Sequence, residues 1–505
     1  STFMFSGVNL ASGGQPQEYG EALSAVLPLE TKDHSTVNKL GMNVSTVGLG
    51  GGGTRVFGHS SLSLNLDYQN LSPYYWVYPS RTDFKQPYGM FSGAAQYRYT
   101  PDERTVFKLY AGYDRTSFSN YADADRHLFG LGENNVYLNT TFRKRAASGW
   151  NWFFGAAYSF YDRRVGGAVT GGDAWSERQQ ELHLKVRSFR QFTPWLRLDA
   201  GVETFIRSYR DYYRFELLYD ENRMYPTICA GFLSSIFYLS EHFKTELSFR
   251  PEYVSLNRRM NWSPRAAVSY AWNRLSISVV AGQYTQLPEN KYLIKNTALP
   301  SNICRQTLFS LQYEQSGRFY KAEFYYKNYK RLELSVPQGM VPDGYGYSKG
   351  IDLYFCDNAL WKNFEYRLSY SYNLSKRKYR EYTELTVPQY ATRHNVSLVL
   401  KYSVPRLRTI FSVTDRLASG RPYHNPELPG LMNDEVKPCH SLDLGITVLA
   451  SKKVIVHASA TNLMGRKNEY GRINGQAVRA SSDRFFYLGV YITLGKKVAY
   501  DVSNF

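Results

Sequence analysis

The sequence of 505 residues contains no apolar run approaching the ~18–20 residues that a membrane-spanning helix needs. With a mean hydropathy of −0.44, a bundle of membrane helices is excluded. Cysteine is scarce. The four residues, Cys229, Cys304, Cys356 and Cys439, are widely spaced, with no Cys-x-x-Cys pair and no histidine at metal-ligand spacing. Cys304 and Cys439 both fall in segments read as long loops, where they either pair or stay free. The nine histidines form no His-Glu-x-x-His motif and no pair at helical spacing. Also missing are a Gly-x-Ser-x-Gly elbow, a phosphate-binding loop and a Gly-x-Gly-x-x-Gly before a helix. The expectation is therefore of no enzyme, no bound metal and no cofactor. No signal peptide opens the chain and Ser1 is not an initiating residue, so the sequence reads as truncated at its N-terminus. Acidic residues fall short of basic ones, 43 against 61, for a net charge of +18. The basic residues are spread singly along the chain and do not gather in one patch. That argues against nucleic acid and for a basic pore lining or a rim facing anionic lipid.

Aromatic residues are abundant, with 44 Tyr, 29 Phe and 8 Trp. They sit in segments that alternate with a period of two. In Phe107–Asp114, Phe107, Leu109, Ala111 and Tyr113 share one face, and Lys108, Tyr110, Gly112 and Asp114 the other. Leu182, Leu184 and Val186 likewise oppose His183, Lys185 and Arg187. Ala322, Phe324 and Tyr326 oppose Lys321, Glu323, Tyr325 and Lys327. Leu442, Leu444, Ile446 and Val448 oppose Asp443, Gly445 and Thr447. Such segments run about 9 to 11 residues, the length of a tilted strand crossing a bilayer. Short links (Thr100–Arg104, Phe192–Pro194, Ser316–Gly317, Ser451–Lys452) alternate with mostly long ones. The long ones include Leu71–Pro87, Ser119–Glu133, Asp211–Arg223, Leu287–Cys304, Pro337–Gly344, Asn425–Pro438 and Ile473–Ser482. The link near Asn257–Met260 is short where a long one is due. The overlong, glycine-rich run Asn38–Phe57 splits into two strands, which brings the count to an even number, about 22. The expected fold is all-β: a 22-stranded antiparallel transmembrane β-barrel with short periplasmic turns and long extracellular loops. A barrel of about that size has a plugged lumen. Lys108, Lys185, Arg187, Lys321, Lys327 and Asp443 are expected to face that lumen.

Two stretches carry a family resemblance. The first is Ser12-Gly-Gly-Gln-Pro-Gln-Glu-Tyr-Gly-Glu-Ala-Leu-Ser-Ala-Val-Leu-Pro-Leu-Glu-Thr-Lys32. The second is the series Arg393-His394-Asn395, Ser419-Gly-Arg-Pro-Tyr423, Leu442-Asp-Leu-Gly445 and Ala460-Thr-Asn-Leu463. Together they resemble TonB-dependent outer-membrane transporters of the form found in Bacteroidota. The first stretch is similar to the end of the family's plug domain, the second to its late barrel strands. The segment Tyr487–Leu494 resembles the closing-strand signal of outer-membrane barrels. The resemblance implies residues 1–33 as the C-terminal remnant of a plug and residues 34–505 as the barrel with a short C-terminal extension. It implies a bacterial outer-membrane location and active import, with TonB acting through a segment upstream of Ser1. Partners would be outer-membrane lipid and lipopolysaccharide, and either a surface lipoprotein or a larger outer-membrane complex.

Solute contacts are expected from loop aromatics interleaved with cations: Tyr74, Tyr75, Trp76, Arg126, His127, Arg210, Tyr212, Tyr213, Arg214, Lys291 and Tyr292. Arg beside Tyr can stack on and charge-pair with an anionic, ring-bearing solute. The same residues equally suit an interfacial girdle and a solvated rim. Because the loops are compact, a ferric siderophore, a haem-like compound or a cobalamin is favoured over an oligosaccharide. Two readings compete with import: a scaffold subunit of a larger outer-membrane complex, and a passive pore.

Overall fold

The computed structural model describes residues 4–8, 13–35, 37–121, 127–167, 173–216, 218–473 and 475–494. A closed antiparallel barrel of 22 strands dominates it. The expected split of the first long run is present. Lys39–Ser45 and Gly48–Phe57 are separate strands paired through Leu40↔Gly53 and Val44↔Leu49. Closure comes from the last strand, Phe485–Leu494. It pairs with Val454–Thr461 on one side and with Lys39–Ser45 on the other, where Met42 faces Ile492. Two barrel strands are each in two pieces. Leu218–Met224 and Thr227–Tyr238 both pair with Leu196–Phe215; Tyr382–Thr386 and His394–Val404 both pair with Phe364–Tyr379. No helix among the described residues is long and apolar enough to cross a membrane.

The period-two pattern sets which face each residue takes. Along Ala174–Thr193 and Leu196–Phe215, Leu182, Leu184, Val202 and Ile206 are exposed on the outside. Their alternates His183, Lys185, Glu203 and Arg207 point inward, to partners in the lumen. A lipid-facing apolar surface built on a closed strand ladder keeps its backbone hydrogen bonds within the wall, which is the requirement for crossing a bilayer. Aromatic residues cluster near one rim: Trp150 packs edge-on to Phe192 at 5.7 Å, and Trp195 stacks on Phe237 at 6.3 Å. That rim carries tight turns, such as those between Asp102 and Thr105 and between Thr193 and Leu196.

The opposite rim carries long connections after Asn70, Gln286, Ala418 and Thr461. Two segments read as loops are strand instead. Arg210–Arg214 lies within Leu196–Phe215, which turns into Leu218–Met224, and Gly339–Gly344 lies within the strand Gly339–Asp357. These hairpins rise beyond the apolar belt, where the outward face meets water and the inward face packs in the mouth, as Met340 and Met224 do. Hydropathy alternation fades there and cannot report the strand. Cys304 is likewise in a strand, Asn302–Gln315, and is fully buried; Cys439 begins another strand, and all four cysteines are free.

Candidate functional site: the lumen and its bound N-terminal segment

The segment Gln15–Asp33, ahead of the first barrel strand, lies inside the barrel, and a set of inward-facing cations holds it. Each cation occupies the lumen-facing position of its strand, so alternation alone aims them at the axis. Arg265 donates to the backbone oxygens of Gln15 and Pro16, both at 2.8 Å, and its guanidinium lies 4.1 Å over the ring of Tyr284. Gln17 donates to the Ser263 carbonyl at 2.6 Å. Lys185 donates to the carbonyl of Glu18 at 2.6 Å, and Arg187 to the Glu18 carboxylate at 2.7 Å and to Asp199 at 2.9 Å. Arg207 donates to Glu21 at 2.8 Å and to Glu181 at 2.5 Å. Further along, Lys327 donates to the Ser24 carbonyl at 3.2 Å and Arg98 to that of Lys32 at 2.9 Å. Lys108 and Arg143 grip Asp33. Burial pushes the Asp33 carboxyl up, but hydrogen bonds from Lys108 and Arg143 outweigh it and hold the group below its ordinary value. Upstream, Phe5–Val8 pairs antiparallel with Leu29–Thr31, so the segment folds back on itself.

At the centre of this seat, Arg250 donates to Glu203 at 2.6 Å and to Glu252 at 3.3 Å, with all three side chains buried. Gly20 passes directly over this guanidinium, and a Cβ there would come within 2.2 Å of Arg250 Nη2. Only glycine lets the segment approach so closely. Ion pairs this deep gain little net stability over apolar packing. Their value is that each partner tolerates only the other, which fixes where the segment sits.

The seat occupies one side of the lumen. The other side is open, a cavity of about 1430 Å³ running along the strands from Arg318–Val336 round to Phe485–Leu494. Lys321, Arg416, Arg421 and Arg484 line it, together with Tyr354 and Tyr470. Within it Arg416 pairs with Asp443, and Lys321 with Glu323 at 2.8 Å. Between seat and cavity is a smaller, polar space of about 310 Å³. There Ser24 of the bound segment meets Lys327, Arg377 and Tyr329 of the wall and Tyr390 of the connection after Tyr379. Among the described residues, no three His, Cys, Asp or Glu side chains come together as metal ligands.

The residues singled out in the sequence fall in separate places. Tyr74, Tyr75 and Trp76 form a short helix, Ser72–Val77, at the barrel seam. Tyr74 is buried against Phe485 at 4.8 Å and its hydroxyl accepts the Phe486 N–H, while Tyr75 stacks on Phe84 at 5.5 Å. Trp76 is 80% exposed. Arg126 lies outside the described residues, and His127 directly precedes the strand Leu128–Arg145. Arg210, Tyr212 and Arg214 are on the outward face of Leu196–Phe215, away from the lumen; Tyr213 is on the inward face. Lys291 and Tyr292 belong to a connection folded into the barrel mouth. There Tyr292, Leu293 and Leu299 pack on Phe205, Tyr209 and Met340. Arg380 lies 5.4 Å over the Tyr292 ring, and burial raises the phenol above its ordinary value. Lys291 pairs with Glu289 at 3.1 Å.

The lumen-facing positions of Lys108, Lys185, Arg187, Lys321 and Lys327 follow from alternation. Arg98, Arg143, Arg207, Arg250 and Arg265 obey the same rule on their own strands and complete the seat. Their signal in the sequence was a cation at every second position opposite apolar neighbours.

No protein-family model matches the chain, and no curated protein sequence matches it. Solved structures do match in fold. The copper transporter OprC superposes with a TM-score of 0.78 at 12% identity, over 96% of this chain and 85% of its own. The ferric yersiniabactin uptake receptor FyuA from Yersinia pestis gives 0.78 at 13% identity, over 96% and 85%. The FrpB iron transporter from Neisseria meningitidis gives 0.78 at 11% identity, over 97% and 88%.

Proposed function

We propose that this chain, which has the fold of TonB-dependent outer-membrane transporters, is the barrel and adjoining plug end of an energised importer in a bacterial outer membrane. The carrying observation is the seat of Arg98, Lys108, Arg187, Arg207, Arg250 and Arg265 around the segment Gln15–Asp33. A segment held in a pore by ionic and hydrogen bonds, and not by a continuous apolar core, can be shifted by a pull without unfolding the barrel. TonB would supply that pull through residues N-terminal to the segment. The barrel wall itself would stay rigid, because its hydrogen bonds form a closed cycle.

The cargo reading follows from the open side of the lumen. Cations interleaved with tyrosines, in a space of about 1430 Å³, suit an anionic solute with flat conjugated groups. Ferric siderophores, haem-like compounds and cobalamins are the favoured classes. The named neighbours, transporters of copper, iron and ferric yersiniabactin, support a scarce metal or its chelate. These neighbours are transporters and not enzymes. The test is equilibrium binding of a panel of ferric siderophores, haem and cobalamin to the purified protein. One class should bind, and Arg416→Gln with Arg421→Gln should weaken it about tenfold or more. Failure of the whole panel, or binding indifferent to both substitutions, contradicts the cargo reading.

A further inference from the structure

Three neighbouring strands carry a basic pocket on the outside of the barrel. On Asn151–Gly166, Arg163 faces the lumen and pairs with Glu133 at 2.7 Å; on Leu196–Phe215, Arg207 faces it and pairs with Glu21. The alternates Asp162, Arg164, Arg210, Tyr212 and Arg214 therefore face outward. Cross-strand register sets Asp162 opposite Arg178, Arg178 opposite Arg210, and Arg210 opposite Arg223. Asp162, Arg164, Ser176, Arg178, Arg210 and Tyr212 enclose a pocket of about 270 Å³. Asp162 is shared by Arg164 at 3.1 Å and Arg178 at 3.2 Å, and Glu221 by Arg210 at 3.0 Å and Arg223 at 2.5 Å. Two carboxylates thus organise a larger set of guanidiniums, each of which retains free N–H donors.

Height along the barrel identifies what this pocket meets. Below it on the same outward faces are Phe154, Phe160, Leu182, Leu184, Val202 and Ile206, an apolar surface that ends where the arginines begin. Trp152 to Arg164, and Leu198 to Arg210, each rise roughly 30 Å along the axis at ~3.3 Å per residue and a tilt of ~40°. The apolar band of such a barrel is ~25 Å tall, so the pocket sits just past it, at the rim opposite the tight turns. Arg178 also lies 5.7 Å over the ring of Phe160, the last outward aromatic of its strand, which ties the cation to the belt's edge.

We propose that Arg164, Arg178, Arg210 and Arg223 form a binding site for the phosphate-bearing headgroup of an outer-leaflet lipid. Planar guanidiniums matched to tetrahedral oxyanions give two-pronged contacts, and acyl chains below would lie on the apolar face. The proposal requires the barrel to sit in a membrane but is independent of import. A barrel that transports nothing would bind the same lipid.

The experiment is native mass spectrometry of the detergent-purified full chain with phosphorylated lipid A, with the same lipid A dephosphorylated, and with inorganic phosphate. Phosphorylated lipid A should be retained at least tenfold better than the dephosphorylated form. Combined R164Q, R178Q and R210Q should abolish that difference, and R210Q alone should reduce it several-fold. Heat-modifiable gel mobility checks that each variant is folded. If the combined variant does not fold, the R210Q result and the comparison of the two lipids on the unaltered protein decide. Equal retention of both lipids, or a preference unchanged in the variants, overturns the proposal. So does displacement of the lipid by millimolar inorganic phosphate, since the phosphate group alone would then be the ligand.

Discussion

Arg250, Glu203 and Glu252 are buried together, and the bound segment passes over them. Replacing Arg250 with Met strands two carboxylates out of water. Removing one partner of such a cluster costs ~3–5 kcal/mol. Denaturant titration in detergent should show a loss of that size, with faster amide exchange at Gln15–Glu21; an unchanged midpoint would mean the charges are solvated. Gly20→Ala acts on the same contact from the other side. Its Cβ meets a guanidinium that cannot swing away without breaking its pairs, so a cost of ~1–3 kcal/mol is expected. Asp33 adds a pH dependence. Its carboxyl titrates below the ordinary ~3.9, so its contribution is complete above that pH and is lost as the pH falls through the lowered value. A fluorophore at Glu30→Cys should keep its environment from pH 7 down to about 4 and change only below. A change centred near pH 6 would assign the effect to another group.

At the scale of the strand, outward and inward positions differ sharply in tolerance. Val202 is 60% exposed on the outer face at mid-belt, and its neighbour Glu203 is buried in the lumen. Val202→Arg should destabilise the folded barrel by ~2–4 kcal/mol in lipid vesicles. A neutral result would reverse the assignment of faces. This alternation was also what made the barrel legible from the residues. Leu182, Leu184 and Val186 against His183, Lys185 and Arg187 disclose both the strand and its orientation, because lipid on one side and charge on the other keep the two sets distinct. The rule loses its force where the surroundings become uniform. Arg210-Asp-Tyr-Tyr-Arg214 has polar residues on both faces because the hairpin stands in water, so it read as a loop and as solute-facing. Alternation does not report the strand at Cys304 because its opening residues Asn302, Ile303 and Cys304 are all buried at the mouth. Tyr292 was read as a loop aromatic, but its connection folds inward onto Phe205 and Tyr209, a long-range packing choice that local composition does not encode.

The whole molecule divides its positive charge by location. One set of cations holds a segment inside the barrel, a second lines the open side of the lumen, and a third clusters at one place on the outer surface above the belt. In the proposed function only the first two serve import. The wall is one closed hydrogen-bonded cycle and is expected to stay fixed, so a pull by TonB would act on the seated segment and not on the wall. The most direct measurement is accumulation of the bound metal chelate, as identified by the binding panel, in cells expressing the full-length protein with and without TonB. Surface binding should be equal in both, and accumulation should fall to background without TonB. Accumulation that persists undiminished without TonB would make the barrel a passive pore and contradict the account.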